Sequence, residues 1–388
     1  MKTHLGESLV KFFESGSRCV KALDELLFFL FAFLFLAGVQ VDLLQLMLYP
    51  LLGYVGVFWL RVMVLVFVAA LIGLHWKIHP LFRLDDRWHA FTYFPFFLLV
   101  AFVTLLSPHF LWGRGIATGV LLLVSFVVMY ELARRIPRRM HLLECLLCNL
   151  FVMLASFFAV VMLGNTDDVL HYELRMERYL TQHDERKALE TASLELPSSQ
   201  RLLALRAYAL ARTHSLGDRL FEFPQVEGNT DLFLHSYDAG EMIYPLDSVK
   251  AFLGFVPVRK VTRGALQQRL KGERLTPSSP LSDYWLCTLL LQKDLPTFAS
   301  SLAQIYSLDM KSVRDKLPRY YKEALVLYNS LYVHPSLVFR CAEVEGNYSD
   351  FKDLAGQYLD PVEQRNRLRR MYGNTYWWYY HYFPLQVR

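Results

Sequence analysis

The sequence predicts an all-α protein in two parts: a multi-pass membrane region of about five spans, then a soluble domain of helical repeats. Three observations carry this. Residues 145–164, CLLCNLFVMLASFFAVVMLG, form twenty positions without a formal charge, the length a helix needs to cross about 30 Å of hydrocarbon. Charge density changes abruptly there: residues 1–164 hold 13 Lys/Arg and 9 Asp/Glu, residues 165–388 hold 28 and 27. Beyond Gly164, apolar residues recur at helical spacing between Ser, Asp and Pro punctuation.

Residues 1–22 read as a mixed-charge cytoplasmic leader. Lys2, Lys11, Arg18 and Lys21 precede an apolar core with no small-x-small cleavage pattern, so the segment reads as an uncleaved first helix and not as a signal peptide. The membrane region is expected over 23–164, with spans at about 23–39, 55–74, 91–106, 112–130 and 145–164. Residues 41–54 are apolar but interrupted by Asp42, Gln45 and Pro50. They suit an interfacial or re-entrant segment, because Pro and a carboxylate are costly on a lipid-exposed helix. With the leader in the cytoplasm, eleven basic residues (Lys2, Lys11, Arg18, Lys21, Lys77, Arg83, Arg87, Arg134, Arg135, Arg138 and Arg139) fall inside, and only Arg114 outside. That asymmetry orients the spans. An odd span count then puts 165–388 outside the cytoplasm, which in a bacterium is the periplasmic side of the inner membrane.

In the soluble half, DDVLHYELRMERYL opens on Asp167 and Asp168, favourable at a helix N-terminus. QHDER turns into KALETASLEL, and SSQRLLALRAYALARTH restarts from a Ser cap. A 34-residue helix–turn–helix period of tetratricopeptide type places Ala192 and Pro197 late in one unit, and Ala207, Leu210 and Phe223 in the next, without the hallmark Trp and Gly. SDYWLCTLLLQ, KDL and PTFASSLAQIYSL share the outline. Residues 224–246 and KGERLTPSSP read as linkers. KSVRDKLPRYYKEALVLYNSLY (311–332) reads as the longest soluble helix, started or kinked at Pro318.

DDVLHYELRMERYL, ALARTHSLGDRLFEF, RYYKEALVLYNSLY and above all GNTYWWYYHYF are similar to a family of uncharacterised multi-pass bacterial membrane proteins. Those proteins, from anaerobic Gram-negative bacteria, join membrane helices to a periplasmic tetratricopeptide-like C-terminal domain. The resemblance covers most of 165–388 and is weaker in the shorter membrane half. It implies the architecture and brings no activity, cofactor or catalytic residue.

No phosphate-binding loop, HExxH, GxSxG or dinucleotide pattern is present, so no catalytic or cofactor-binding residue is assigned. His75, His79 and His89 share a stretch with Asp85 and Asp86. The spacing fits no ligand pattern, and no metal is expected. Cys145 and Cys148 form CxxC inside a membrane helix and suit packing; Cys287 and Cys341 leave a disulfide or two free thiols open. Arg61 is the ionisable residue well inside a span. It calls for a partner, either Asp42 in a structural pair or an anionic headgroup or substrate, or else it snorkels to an interface. Tyr376, Trp377, Trp378, Tyr379 and Tyr380 suit a cap on the repeat stack, a membrane-interface belt or a ligand-stacking surface. The soluble half, nearly neutral, excludes a nucleic-acid face. The expected partners are the lipid bilayer and a periplasmic protein or peptide. The expected function is an inner-membrane-anchored interaction or scaffold protein. The alternative is a membrane enzyme or transport component handling a lipid-linked or envelope glycan substrate.

Overall fold

A computed structural model describes residues 2–82, 84, 86–105, 119–120, 123–124, 127, 130–131, 142–165, 167–191, 199–226, 232, 244, 246–254, 276–277, 279–306 and 316–384. Its described elements are all helical, and they fall into two compact units, Met1–Asp167 and Asp168–Arg388.

The first unit begins with α1 (Lys2–Leu34), continued by a π turn at Phe35–Val39, then α2 (Val41–Leu52) and α3 (Val57–Ile78). Gly53 ends α2 at φ 68°, a left-handed conformation that a Cβ disfavours, and Pro50 sits in the last turn. The segment expected as interfacial or re-entrant is a short helix. Two 3-10 stretches, His79–Phe82 and Asp86–Tyr93, lead to α4 (Phe94–Leu105), and α5 spans Leu142–Leu163. Three segments are long and apolar enough to cross a membrane: Arg18–Val39, Val57–Phe82 and Leu143–Leu163. They correspond to the expected first, second and last spans. The expected span at 91–106 is a shorter apolar helix, Trp88–Thr104. The one at 112–130 lies largely outside the described residues, as does the basic segment 132–141.

This unit has a buried apolar core, yet its surface is apolar too. Leu26, Leu34, Phe58, Phe151 and Phe158 are more than half exposed, while Asp24, Gln40, Asp42, His75, His89 and Asn149 are buried. An apolar exterior, with polar side chains kept inside among Phe28, Val68, Phe97 and Met153, suits a hydrocarbon solvent, which cannot hydrogen-bond polar groups.

The second unit is a run of helical hairpins: α6 (Asp168–Thr181) with α7 (Glu185–Thr191), α8 (Gln200–Arg212) with α9 (Leu216–Arg219), and α11 (Pro280–Leu291) with α12 (Leu295–Ile305). The short helix α10 (Leu246–Phe252) lies between the last two pairs in sequence. The three hairpin turns share one design. His183, His214 and Lys293 adopt φ of 57°, 51° and 59°. The next residue's N–H reaches five positions back: Asp184 to the Tyr179 carbonyl (3.0 Å), Ser215 to Leu210 (2.8 Å) and Asp294 to Leu289 (3.0 Å). This is a Schellman closure with a non-glycine at the left-handed position. Asp184 and Asp294 then cap the following helix through their carboxylates, each at 3.1 Å.

Three further helices and a short fourth complete the unit: α13 (Arg319–Leu331), α14 (Ala342–Gly356), α15 (Pro361–Tyr372) and α16 (Tyr376–Tyr382). Pro318 precedes α13 as its N-cap, and the 15-residue α14 exceeds the 13-residue α13, which the sequence had suggested as the longest. The core of this unit is built on α8, α11 and α13. Leu202, Leu205, Leu210, Leu286, Leu290, Tyr320, Tyr321 and Leu325 are all essentially inaccessible. Arg206 is buried among them with its guanidinium 5.2 Å from the Phe223 ring centroid. Burial lowers its pKa to about 10.

Candidate functional site

In the first unit, the end of α3 and the second 3-10 stretch bring together a polar cluster. His75 in the last turn of α3 and His79 at the start of the first 3-10 stretch sit about one turn apart, and the ring centroids of His75, His79 and His89 are 5.1–5.7 Å apart. His89 Nδ1 lies 3.0 Å from Asp24 Oδ2, both groups buried. The Thr92 hydroxyl donates to the His89 carbonyl (2.6 Å) and meets His75 Nε2 at 2.7 Å. With its proton so committed, the hydroxyl accepts from His75, which is therefore the Nε2–H tautomer. His75 Nδ1, bare and buried, has no protein partner, and neither has the buried Tyr93 hydroxyl. The His75 ring stacks on Tyr93 at 3.8 Å. Asn149 of α5 pins the irregular segment by accepting the Ala90 N–H at 2.7 Å. The stretch expected as a polar loop is therefore packed inward at its C-terminal end.

The arrangement is a hydrogen-bonded Asp–His pair beside a neutral imidazole. Such a set can accept or relay a proton. Among the described residues no three His, Cys, Asp or Glu side chains converge as a metal site requires. Asp85 and the Asp86 side chain lie outside the described residues. Sequence reasoning missed Asp24, whose signal was a carboxylate inside an expected span.

Arg61 Nε donates to the Ala37 carbonyl in the π turn, a long contact of 3.4 Å. Asp42 is buried in the first turn of α2. Cys145, Cys148, Cys287 and Cys341 are all free thiols.

In the second unit the aromatic tail is an interior element. Tyr376, Trp377, Trp378 and Tyr379 are 0–8% exposed, and Tyr380 is half-buried. Thr375 caps α16 by accepting the Trp378 N–H (3.3 Å), and Glu323 of α13 accepts the Tyr376 N–H (2.7 Å). The Tyr376 and Tyr379 hydroxyls donate to the Leu290 and Leu291 carbonyls at 3.1 and 2.8 Å. Those carbonyls end α11, where four acceptors lack a partner within the helix. Lys293 Nζ closes the loop by donating to the Phe383 carbonyl at 2.7 Å. The tail thus caps α11, and the α11–α12 turn caps the tail. Burial raises the Glu323 carboxyl above its ordinary range, against the opposing pull of Arg319 Nε at 2.7 Å.

Two open clefts of about 500 Å³ flank this tail. The first has mixed charge, with Asp218, Arg319, Lys322, Glu323 and Glu343 around Trp377. The second is basic: Arg365, Arg369 and Arg370 of α15 face Phe223, Gln225 and Trp378. Its acid, Glu222, accepts a hydrogen bond from Arg219 Nε at 2.9 Å. The three arginines were not singled out by sequence. The signal was available in RNRLRR, whose spacing sets Arg365 and Arg369 one turn apart.

Most of the residues lining the two clefts come from one stretch of chain; Asp218 of the first and 221–225 of the second lie outside it. Residues 278–383 match DUF6057, a family of unknown function. That segment runs from α11 to α16, and so contains the tail, its capping partners and the three arginines. No curated protein and no solved structure matches the chain.

Proposed function

We propose that the chain is a membrane-anchored helical-repeat interaction protein, with the second unit holding a protein or peptide partner. The observation that carries this is the basic cleft on α15, an open recess on a stack whose aromatic end is already sealed. Helical stacks of this kind commonly present binding surfaces without catalytic groups. In this reading the three left-handed turns mark tetratricopeptide-like repeats. Five spans anchor the chain in a bacterial inner membrane, the N-terminus is cytoplasmic, and 165–388 faces the periplasm. The three long apolar segments and the positive-inside pattern support that topology.

The test places a photo-crosslinking residue at Arg370 and, as a control, at Lys187 on α7, in living cells. A discrete adduct at the cleft position and none at the control supports the reading. Equal labelling at both positions, or none at either, contradicts it.

A second reading, a membrane enzyme or transport component acting on a lipid-linked or envelope glycan substrate, is favoured by the buried Asp24–His89 pair beside His75. If loss of a cellular phenotype follows His89→Gln while the Arg370 adduct persists, this reading takes precedence.

A further inference from the structure

We infer that the α15 cleft binds an acidic peptide segment, a step that rests on the interaction reading above and names the partner's chemistry. Arg365, Arg369 and Arg370 are exposed and line the recess, and no carboxylate pairs with them among the described residues. The nearby ion pairs are spent elsewhere, Arg219 on Glu222 and Arg367 on Glu363. Guanidinium forks left without acids match carboxylate or phosphate oxygens.

Two buried polar atoms decide between ligand classes. The Trp378 indole N–H and Gln225 Oε1 both belong to residues that line this cleft, and both lack a protein partner. Trp378 is 8% exposed. One atom is an unused donor and the other an unused acceptor. A peptide group carries the matching C=O and N–H side by side, whereas a phosphodiester group offers acceptors alone. Leaving such atoms unpaired is unfavourable, so a ligand that satisfies them gains affinity.

Stacked sugars are disfavoured by the rings themselves. Trp378 has Tyr382 nearly parallel to it (29°) and the Arg369 guanidinium 5.9 Å from its centroid. Tyr379 lies between Tyr376 (29°) and Phe383 (22°). The Arg206 and Arg219 guanidiniums lie 5.2 and 5.8 Å from the Phe223 centroid. The Trp378, Tyr379 and Phe223 rings are thus already engaged by neighbouring rings or guanidiniums. Arg369 serves as a cover: turning outward to a ligand carboxylate, it uncovers the indole.

The experiment uses the full chain in detergent and a fluorescein-labelled dodecapeptide of alternating Glu and Leu, followed by anisotropy. The Lys–Leu counterpart is the control; inorganic phosphate and a short-chain phosphatidylglycerol are the competitors. Saturable binding of the acidic peptide is expected, weakened about tenfold or more by Arg365→Ala with Arg370→Ala. Replacing Trp378 with 3-benzothienylalanine, which keeps the bicyclic ring and deletes the N–H, is expected to weaken it severalfold. Arg367→Ala should leave it within about twofold. Equal binding of both peptides, indifference to the arginine variants, or displacement by phosphate or phosphatidylglycerol overturns the inference. A cellular adduct at position 370 without acidic-peptide binding would spare the interaction reading and remove only the acidic partner. Absence of both removes both.

Discussion

Ending the chain after Asn374 removes α16 and tests whether the tail is the structural keystone of the second unit. Tyr376, Trp377, Trp378 and Tyr379 are 0%, 2%, 8% and 2% exposed. At about 1.5–3 kcal/mol for each large apolar side chain buried, the four rings together represent about 6–12 kcal/mol. A whole domain has about 5–15 kcal/mol of net stability. The truncation also strips partners from the Leu290 and Leu291 carbonyls and leaves the buried Glu323 without the Tyr376 N–H. The expected result is loss of cooperative unfolding in the second unit while the first stays intact. Calorimetry of the purified full chain, with limited proteolysis to report which unit opens, distinguishes the two. The milder variant Tyr376→Phe removes one hydrogen bond and should cost about 1 kcal/mol. If the truncated protein melts like the intact one, the tail does not cap the stack, and the energetic argument fails.

Gly217→Ala should destabilise the second unit by about 1–3 kcal/mol, reversing the usual helical gain. A Cβ there would sit 2.8 Å from Pro318 Cβ and 2.9 Å from Tyr321 Cζ. An unchanged chemical-denaturation midpoint would refute this. Burial raises the Asp283 carboxyl above its ordinary range, against a hydrogen bond from the Tyr321 hydroxyl at 2.8 Å. Between the unfolded value near 4 and that raised value, the folded state holds more protons, so stability falls as pH rises. Asp283→Asn should therefore help most at pH 7 and progressively less toward pH 4; a constant offset across unfolding curves would contradict it. Asp24→Ala should lower the folded yield of the first unit, with a penalty of about 1–3 kcal/mol for stranding the buried His89 nitrogen. Asp24→Asn, which still accepts a hydrogen bond, should recover most of it, and equal yields from the two variants would count against the pair. Topology reporters fused after Pro137 and after Leu216 should give opposite signals. The same compartment for both would end the five-span proposal.

The sequence by itself determined what depends on neighbours within a turn or on composition along a helix. The apolar runs ending near Val39 and Leu163 are written in residue type, because spanning is a matter of length and hydropathy. Helix starts at Ser199, Asp294, Asp360 and Thr375 follow from side chains that accept a nearby N–H. The density of rings after Asn374 announced an important element, with a cap ranked ahead of a membrane belt and a ligand surface at that level. Tertiary structure decided among distant partners. It joined Asp24 to His89 across 65 positions and set the Tyr376 and Tyr379 hydroxyls on carbonyls 86 and 88 positions away. It gave Arg61 a backbone carbonyl in a π turn, where sequence offered Asp42 or an anionic ligand. It also set the three arginines of α15 against Phe223, Gln225 and Trp378, with no carboxylate paired to them among the described residues. Such pairings carry no local signature, since a buried polar group takes whichever partner the packing brings within 3 Å.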